Sequence, residues 1–394
     1  MNSPHRTPRP HVALIVDTAL ASGRGILRGI VRFAHEYGSW LIYHEPRSIG
    51  ETPPAWLRNW RGDGIIARLQ NRRIAQAVVR ARIPAVDVLG VTPLPSLPIV
   101  HVDDKAIAQM AAEHLLERGF TTFGFYNMKG VNWSERRCHA FSDAVARDGY
   151  PCSICSVPPA TSSRWSWEME QDRLADWLRR LPKPAAVMIC SDWRGQNVME
   201  ACRRAGITVP DEVAVVGVDN DAALCEACDP PLSSVVPDYE RVGFEAASSL
   251  ERLMTGKPPL PSPVLIKPVR VQARRSTDIL AITEGPVAAA VRLIREKACT
   301  GLTVEDIVRQ VPMSRSVLQR RFREVLGRTI HDEIINTRLA EARFLLTESD
   351  LPIALVAEKA GFKYQEYMGA VFKARLGITP LQVRRARGLP DKTA

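Results

Sequence analysis

The chain has 394 residues, 45% of them hydrophobic and 24% charged. That is the make-up of a globular protein too long for one ordinary core, so two or three domains are expected. No apolar run approaches the ~20 residues of a membrane span, and the short run Val12–Val16 stops at Asp17, too soon for a secretory core. The expectation is therefore a cytoplasmic protein with no membrane attachment. The net charge of +10 is uneven, since residues 286–394 hold 19 Lys and Arg against 12 Asp and Glu; a basic C-terminal quarter points to a polyanionic partner there.

From His11 to about Ile266 short β-branched runs alternate with amphipathic stretches. "HVALIVD", "WLIYHE", "GDGIIARL", "IPAVDVLG", "FTTFGFYN", "PAAVMICSD" and "EVAVVGVDN" read as strands, and "GILRGIVRFAHEYG" or "DKAIAQMAAEHLLERG" as helices. Apolar strands each followed by a helix indicate doubly wound parallel sheets. The units are too many for one six-stranded sheet, so two sheets flanking a cleft are expected, with ligand groups at the carboxyl ends of the strands.

After the first strand, "GRGILRG" from Gly23 to Gly29 opens a helix, and Glu45 ends the next strand. This imitates a dinucleotide fingerprint, but the spacing is G-x-G-x-x-x-G and the loop from Asp17 is too long for the tight turn. A nicotinamide-linked enzyme stays as the distant alternative, and no other catalytic motif is present. Eight cysteines include the C-x-x-C pairs Cys152–Cys155 and Cys225–Cys228. They lie far apart in sequence and read as reduced structural thiols rather than a metal site. No cofactor and no metal are expected.

Asp17, Asp192, Asp219 and Asn220 stand at ends of expected strands, and Arg137 at the opening of the helix "RRCHAFSDAV". Carboxylates, amides and arginines so placed grip sugar hydroxyls by directed bonds; the plainer role is helix capping. Trp133, Trp165, Trp167 and Trp193 fall in or near the expected cleft loops, where an indole face can stack on a sugar ring. The segment "VPDEVAVVGVDNDAALCEACDPPLSSVVPDYERVGFEAASSLERLM", with the acidic strand ends "HVDD", "CSD" and "VDND", resembles the lactose-repressor/ribose-binding-protein family over roughly 11–277. The resemblance implies a two-lobed periplasmic-binding-protein-like domain. In it Arg137 matches the family's R-x-x-x-[FW] arginine, Asp219 its G-x-D aspartate and Asp192 the second residue of its N-D pair, whose first is Ser191 here. Family members that regulate genes carry a helix-turn-helix before this fold, and only ten residues precede the first strand.

The tail says the same thing twice. "FREVLGRT" (322–329) and "FKARLGIT" (372–379) both fit F-[RK]-x-x-L-G-x-T. Each closes a helix-break-helix: Thr303 opens a capping box with Asp306, and Val304, Ile307, Val308 and Val311 repeat as Ile353, Val356, Ala357 and Ala360. The second helices carry apolar faces of Leu318, Phe322 and Leu326, and of Tyr367, Phe372 and Leu376, and end at Gly327 and Gly377. Two helix-turn-helix units joined by one long helix can enter successive major-groove segments. Arg315, Ser316, Gln319, Arg320 and Arg323 form the exposed face of the first reading helix; Lys363, Tyr364, Gln365 and Lys373 serve the second. This tail resembles the DNA-binding domain of the AraC/XylS family over 287–386, with Met368 and Val383 in place of the usual aromatic residues.

The expected fold is thus an α/β two-lobed domain of two doubly wound parallel sheets (11–277), a linker (278–286), and an all-α domain with two helix-turn-helix units (287–386). The combined resemblance implies a sugar-responsive transcription regulator, an activator of pentose catabolism. Its partners would be double-stranded DNA, a sugar effector with D-xylose as the candidate, a second copy of the chain, and RNA polymerase if it activates. The alternative is the same architecture acting as a repressor or taking a non-pentose ligand.

Overall fold

Strand β1 (His11–Ile15) turns Val12 and Leu14 into one apolar cluster and Ala13 and Ile15 into another, all buried. A strand covered on both faces needs helices on both sides of its sheet, and the chain supplies them. The structure is a computed structural model that describes residues 9–38, 40–46, 52–91, 94, 97–158, 166–258, 261–279, 285–349 and 351–385. It divides into Met1–Ala281 and Ile282–Ala394. Residues 280–284 of the expected linker, residue 386 and Trp165 lie outside the described residues.

In the first unit β1 is followed by α1 (Ala21–Phe33), β2 (Leu41–His44), β3 (Gly64–Ala67), α2 (Arg72–Arg80), β4 (Ala85–Asp87), β5 (Val100–Val102) and α3 (Asp104–Leu116). Then come β6 (Phe123–Met128), α4 (Asn132–Arg147), β7 (Cys152–Val157), α5 (Trp167–Arg180), β8 (Ala185–Ile189), α6 (Gly195–Ala205) and β9 (Val213–Val218). The unit closes with α7 (Ala222–Glu226), β10 (Ser233–Pro237), α8 (Tyr239–Met254), β11 (Val264–Ile266) and β12 (Pro268–Gln272).

One parallel sheet runs β2-β1-β3-β4, and a parallel bridge from Asp87 to Ile99 sets the parallel pair β5–β11 beside it. The second sheet runs β12-β10-β9-β8-β6-β7, parallel except for β12. The chain passes between the two lobes three times: Val102 to Asp104, Pro237 to Tyr239 and Ile266 to Pro268. Helix α8 leaves a strand of the second lobe and packs on α1, β3 and β4 of the first.

The glycines of "GRGILRG" serve this packing. A Cβ on Gly29 would lie 1.9 Å from the Glu240 carbonyl oxygen, and one on Gly243 2.0 Å from that of Ile26. They let α1 and α8 meet backbone to backbone, so the motif is a helix-packing seam and not a phosphate loop. Helix α4 starts five residues before Arg137, which corrects the expected start. Ser134 ties it down early, accepting from the Met128 amide at 3.0 Å and donating to Asn127 Oδ1 at 2.7 Å.

The second unit contains α9 (Gly285–Lys297), α10 (Val304–Gln310), α11 (Arg315–Leu326), α12 (Ile330–Glu348), α13 (Ile353–Lys359), α14 (Gln365–Leu376) and α15 (Pro380–Arg385). It has two cores that share α12: Ile330 and Ile334 enter the first with Leu318, Phe322 and Leu326, while Ile335, Leu339, Ala342 and Leu346 enter the second. Capping boxes open α10 at Thr303 and α12 at Thr329. The αL residues Gly327 and Gly377 close α11 and α14. One expected core position is corrected. Tyr367 is 44% exposed, and Met368, one residue on, is fully buried in its place. In the repeat Met368 aligns with Leu318.

Candidate functional site

Between the lobes the ends of several strands converge. From the first lobe come Asp17, beyond β1, and Arg68 and Gln70, beyond β3. Gln70 Nε2 donates to Asp17 Oδ2; Arg68 stands 3.6 Å from that oxygen and donates to Ser22 Oγ at 3.0 Å. From the second lobe come Ser191, Asp219 and Asn220. Ser191 Oγ donates to Asp219 Oδ2, and Tyr239, the first residue of α8, donates its hydroxyl to Asp219 Oδ1 at 2.5 Å. Burial and the Asp219 charge push the Tyr239 hydroxyl well above its ordinary pKa, so it stays a donor. Asp219 and Asn220 both have positive φ, 108° and 47°. Such backbone settings are sparse for residues with a Cβ and gather at ligand sites. Asn220 Oδ1 is buried with no hydrogen-bond partner, where native structures rarely leave an acceptor unmet.

Arg137 lies under this group, 3% exposed. Its Nε donates to Asp104 Oδ1 at 2.8 Å and its Nη1 to the Cys190 carbonyl at 2.7 Å. Burial is the largest single effect and works against its charge, but Asp104, Tyr239 and Asp219 together outweigh it, so the guanidinium is held firmly protonated. Burial would raise the Asp104 carboxyl; Arg137, His101 and Arg136 reverse that and hold it well below the usual range. Trp133 stacks on Arg137 at 5.0 Å and Trp193 on Arg194 at 4.2 Å, so both expected wall indoles partner buried arginines. Trp167 is 48% exposed and lies against Arg204.

Asp192 is placed differently from its neighbours. Its carboxylate turns into its own lobe, receiving Ser234 Oγ at 2.8 Å, the Asp221 amide at 3.0 Å and the Cys225 thiol at 3.3 Å. Burial and the Asp219 charge raise its pKa well above the carboxylate range. Cys225 and Cys228 are both buried free thiols, and burial holds the Cys228 pKa up at about 11. Among the described residues no group of His, Cys, Asp or Glu could hold a metal ion, and no helix is long and apolar enough to cross a membrane.

Tyr239, Arg68, Gln70 and Asp104 were not picked out from the sequence. The strand-end rule applied to "GDGIIARL" reaches Arg68 and Gln70. Tyr239 and Asp104 open helices just after the chain crosses between lobes, and no local pattern marks such a crossing.

In the helical unit all nine expected DNA contacts are exposed: Arg315, Ser316, Gln319, Arg320 and Arg323 on α11, and Lys363, Tyr364, Gln365 and Lys373 at α14. Arg315 pairs with Glu305 at 3.0 Å and Arg320 with Glu324 at 3.8 Å. Such exposed pairs are worth little and release easily. Lys363 lies over the Tyr364 ring. Arg338 of α12 braces the first core, donating to the carbonyls of Ala298 at 2.8 Å and Leu302 at 3.0 Å.

Both halves match known families. Residues 112–277 match the periplasmic binding protein-like domain, and residues 307–386 a helix-turn-helix domain. The Xylose operon regulatory protein of Escherichia coli (strain K12) is 32% identical over 386 residues, covering 96% of this chain and 97% of that protein. The chain belongs to the xylose operon regulatory protein family. The Haemophilus influenzae member is 30% identical over 382 residues, 95% of this chain and 97% of its own. A solved structure of the xylose-binding transcription activator xylR aligns with a TM-score of 0.79 and 30% identity over 97% of this chain and 99% of that one. As a member the chain is a DNA-binding transcription regulator and not an enzyme, with a sugar-sensing domain ahead of an AraC-type tail.

Proposed function

We propose that the cleft takes D-xylose and that the sugar controls how the chain, as a cytoplasmic homodimer, binds operator DNA and recruits RNA polymerase. The observation that carries the sugar reading is the crossing contact between lobes, Tyr239 hydroxyl to Asp219 carboxylate, set among Arg137, Asn220 and Asp17. These groups donate and accept in directed pairs, as ring and chain hydroxyls require. The solved relative is named as xylose-binding and as an activator, which supports the choice of sugar and of sign. Arg137, Asp219, Asn220 and Asp17 hold the sugar; Asp192 acts behind them by positioning the β9 and β10 ends. Arg315, Gln319, Arg320 and Arg323 read bases and phosphates from α11, with Ser316 beside them, while Lys363, Tyr364, Gln365 and Lys373 do so from α14.

Calorimetric titration with D-xylose, L-arabinose, D-ribose and D-glucose tests the reading. D-Xylose binds best, and Asp219→Asn, which keeps shape but drops the charge, weakens it about 10- to 100-fold, the size of one charge-assisted bond. Absence of heat for all four sugars up to roughly 10 mM, weaker than a ~1 mM site, overturns the sugar reading. Stronger binding of a hexose would move the reading to a non-pentose effector.

A further inference from the structure

We infer that Glu305 is a specificity-determining residue of the DNA interface: held against Arg315, it steers that guanidinium toward a neutral base edge and away from phosphate. The inference rests on the reading of α11 as a base-reading helix given above. Arg315 opens α11 and Glu305 lies in the first turn of α10, so the pair joins the two helices of one helix-turn-helix. Glu305 Oε1 stands 3.0 Å from Arg315 Nη2, and both side chains are more than half exposed. The neighbouring acid, Asp306, is already taken by the Thr303 capping box and by Arg309 at 2.5 Å. The capping box is complete without Glu305.

The repeat supplies an internal comparison. Position 305 corresponds to Ala354 in the second unit, and position 315 to Gln365. Acid and arginine are present together in one unit and absent together in the other. The same holds for Arg320 and Glu324, 3.8 Å apart on α11, which correspond to Ala370 and Ala374. That second pair lies within one helix, where i,i+4 pairs are common surface chemistry, so the pair between helices is the telling one. Arg323, by contrast, keeps its charge in the repeat as Lys373. Among the described residues neither Arg323 nor Lys373 is paired with an acid. The cations at the repeated position are left bare for phosphate, while the arginine at the base-reading position carries a carboxylate.

The chemistry of the fork explains the difference. A guanidinium has five N–H donors. With one edge on Glu305, the other still reaches guanine O6 and N7. The guanine edge is neutral, so carboxylate and base share the arginine without conflict. A phosphate in the same place brings a second negative charge within roughly 6 Å of the carboxylate, and like charges at that range repel. Non-specific DNA is held through its phosphates, so Glu305 penalises it selectively, a repulsive element of the kind that specificity uses. Gln365 is uncharged and draws no phosphate by charge, so the second unit has no use for an acid at position 354.

The test is a cycle of full-length Glu305→Gln, Arg315→Ala and the double variant. Each is titrated at fixed salt onto the chain's own upstream DNA and onto a shuffled duplex of equal length and composition. Glu305→Gln is expected to lower the ratio of upstream to shuffled affinity about two- to fivefold, the span of one exposed ion pair, through tighter binding of the shuffled duplex. Its salt slope on that duplex should steepen by about one unit, as Arg315 is freed for a phosphate. Its melting temperature should stay within about 2 °C of wild type, which a structural role would not allow. In the Arg315→Ala background the same substitution should leave the ratio alone. A ratio unchanged in Glu305→Gln, or lowered equally with and without Arg315, overturns the inference and leaves the reading of α11 standing. A wild-type ratio retained in Arg315→Ala overturns that reading, and this inference with it.

Discussion

Arg137→Met separates the two duties that meet at one guanidinium. The substitution keeps the apolar stem and removes the donors to Asp104 and to the Cys190 carbonyl. Stripping one partner from a buried ion pair costs about 3–5 kcal/mol, because the other charge stays behind. Here Arg136 still grips Asp104 Oδ2 through Nε at 2.8 Å and Nη2 at 2.7 Å, so the low end applies, about 3 kcal/mol, plus about 1 kcal/mol for the orphaned carbonyl. At roughly 2–4 °C per kcal/mol for a domain of this size, the α/β unit should melt about 10 °C lower. D-Xylose should give the variant no thermal stabilisation, so both losses appear in one scanning experiment. Arg137→Lys keeps the charge without the planar fork and should fall between. An unfolding temperature within about 2 °C of wild type, with sugar stabilisation lost, would show that Arg137 is committed to ligand and not to Asp104.

Gly29→Ala puts a methyl against two backbone atoms of α8, 1.9 Å and 2.7 Å away; helices α1 and α8 must part, and the melting temperature should drop by about 5 °C or more. Burial, with help from Arg118, lowers the His114 pKa to about 4. The folded chain then binds fewer protons than the unfolded one between pH 6.5 and about 4, so stability falls as pH drops through that window, by up to about 3 kcal/mol. His114→Gln, which still donates but does not titrate, should flatten the fall in urea titrations run from pH 7 to 4. On the DNA side, Arg315→Ala or Gln319→Ala should cost about 1–3 kcal/mol on the specific site and relax base preference. Lys373→Ala should weaken all sequences alike and make the salt slope about one unit shallower. Loss of base preference in Lys373→Ala as large as in Arg315→Ala would refute this division between base reading on α11 and phosphate contact on α14.

The helical unit was legible in the sequence because its signals are local. A capping box at Thr303, glycines at 327 and 377 and a repeated sentence fix helix ends whatever lies around them. The one slip there, Tyr367 for Met368, came from favouring an aromatic residue over the register of the repeat. The α/β unit was legible as two sheets but not as a site. Strand ends could be found; the direction of a side chain from a strand end could not. Asp192 and Asp219 look alike in sequence, yet one turns into its lobe and the other toward Tyr239. Contacts such as Tyr239 to Asp219 or His114 to Thr277 join residues brought together only by the three crossings between lobes, which leave no periodic trace.

The central claim is that one chain ties sugar in the cleft to DNA at the tail. The most direct measurement is a titration of the full-length chain onto its own upstream DNA at fixed salt, with and without saturating D-xylose. Tightening by about fivefold or more with the sugar, abolished in Asp219→Asn at the same sugar concentration, is the predicted result. Identical DNA affinities in both conditions, with calorimetry showing the sugar bound, would contradict the account.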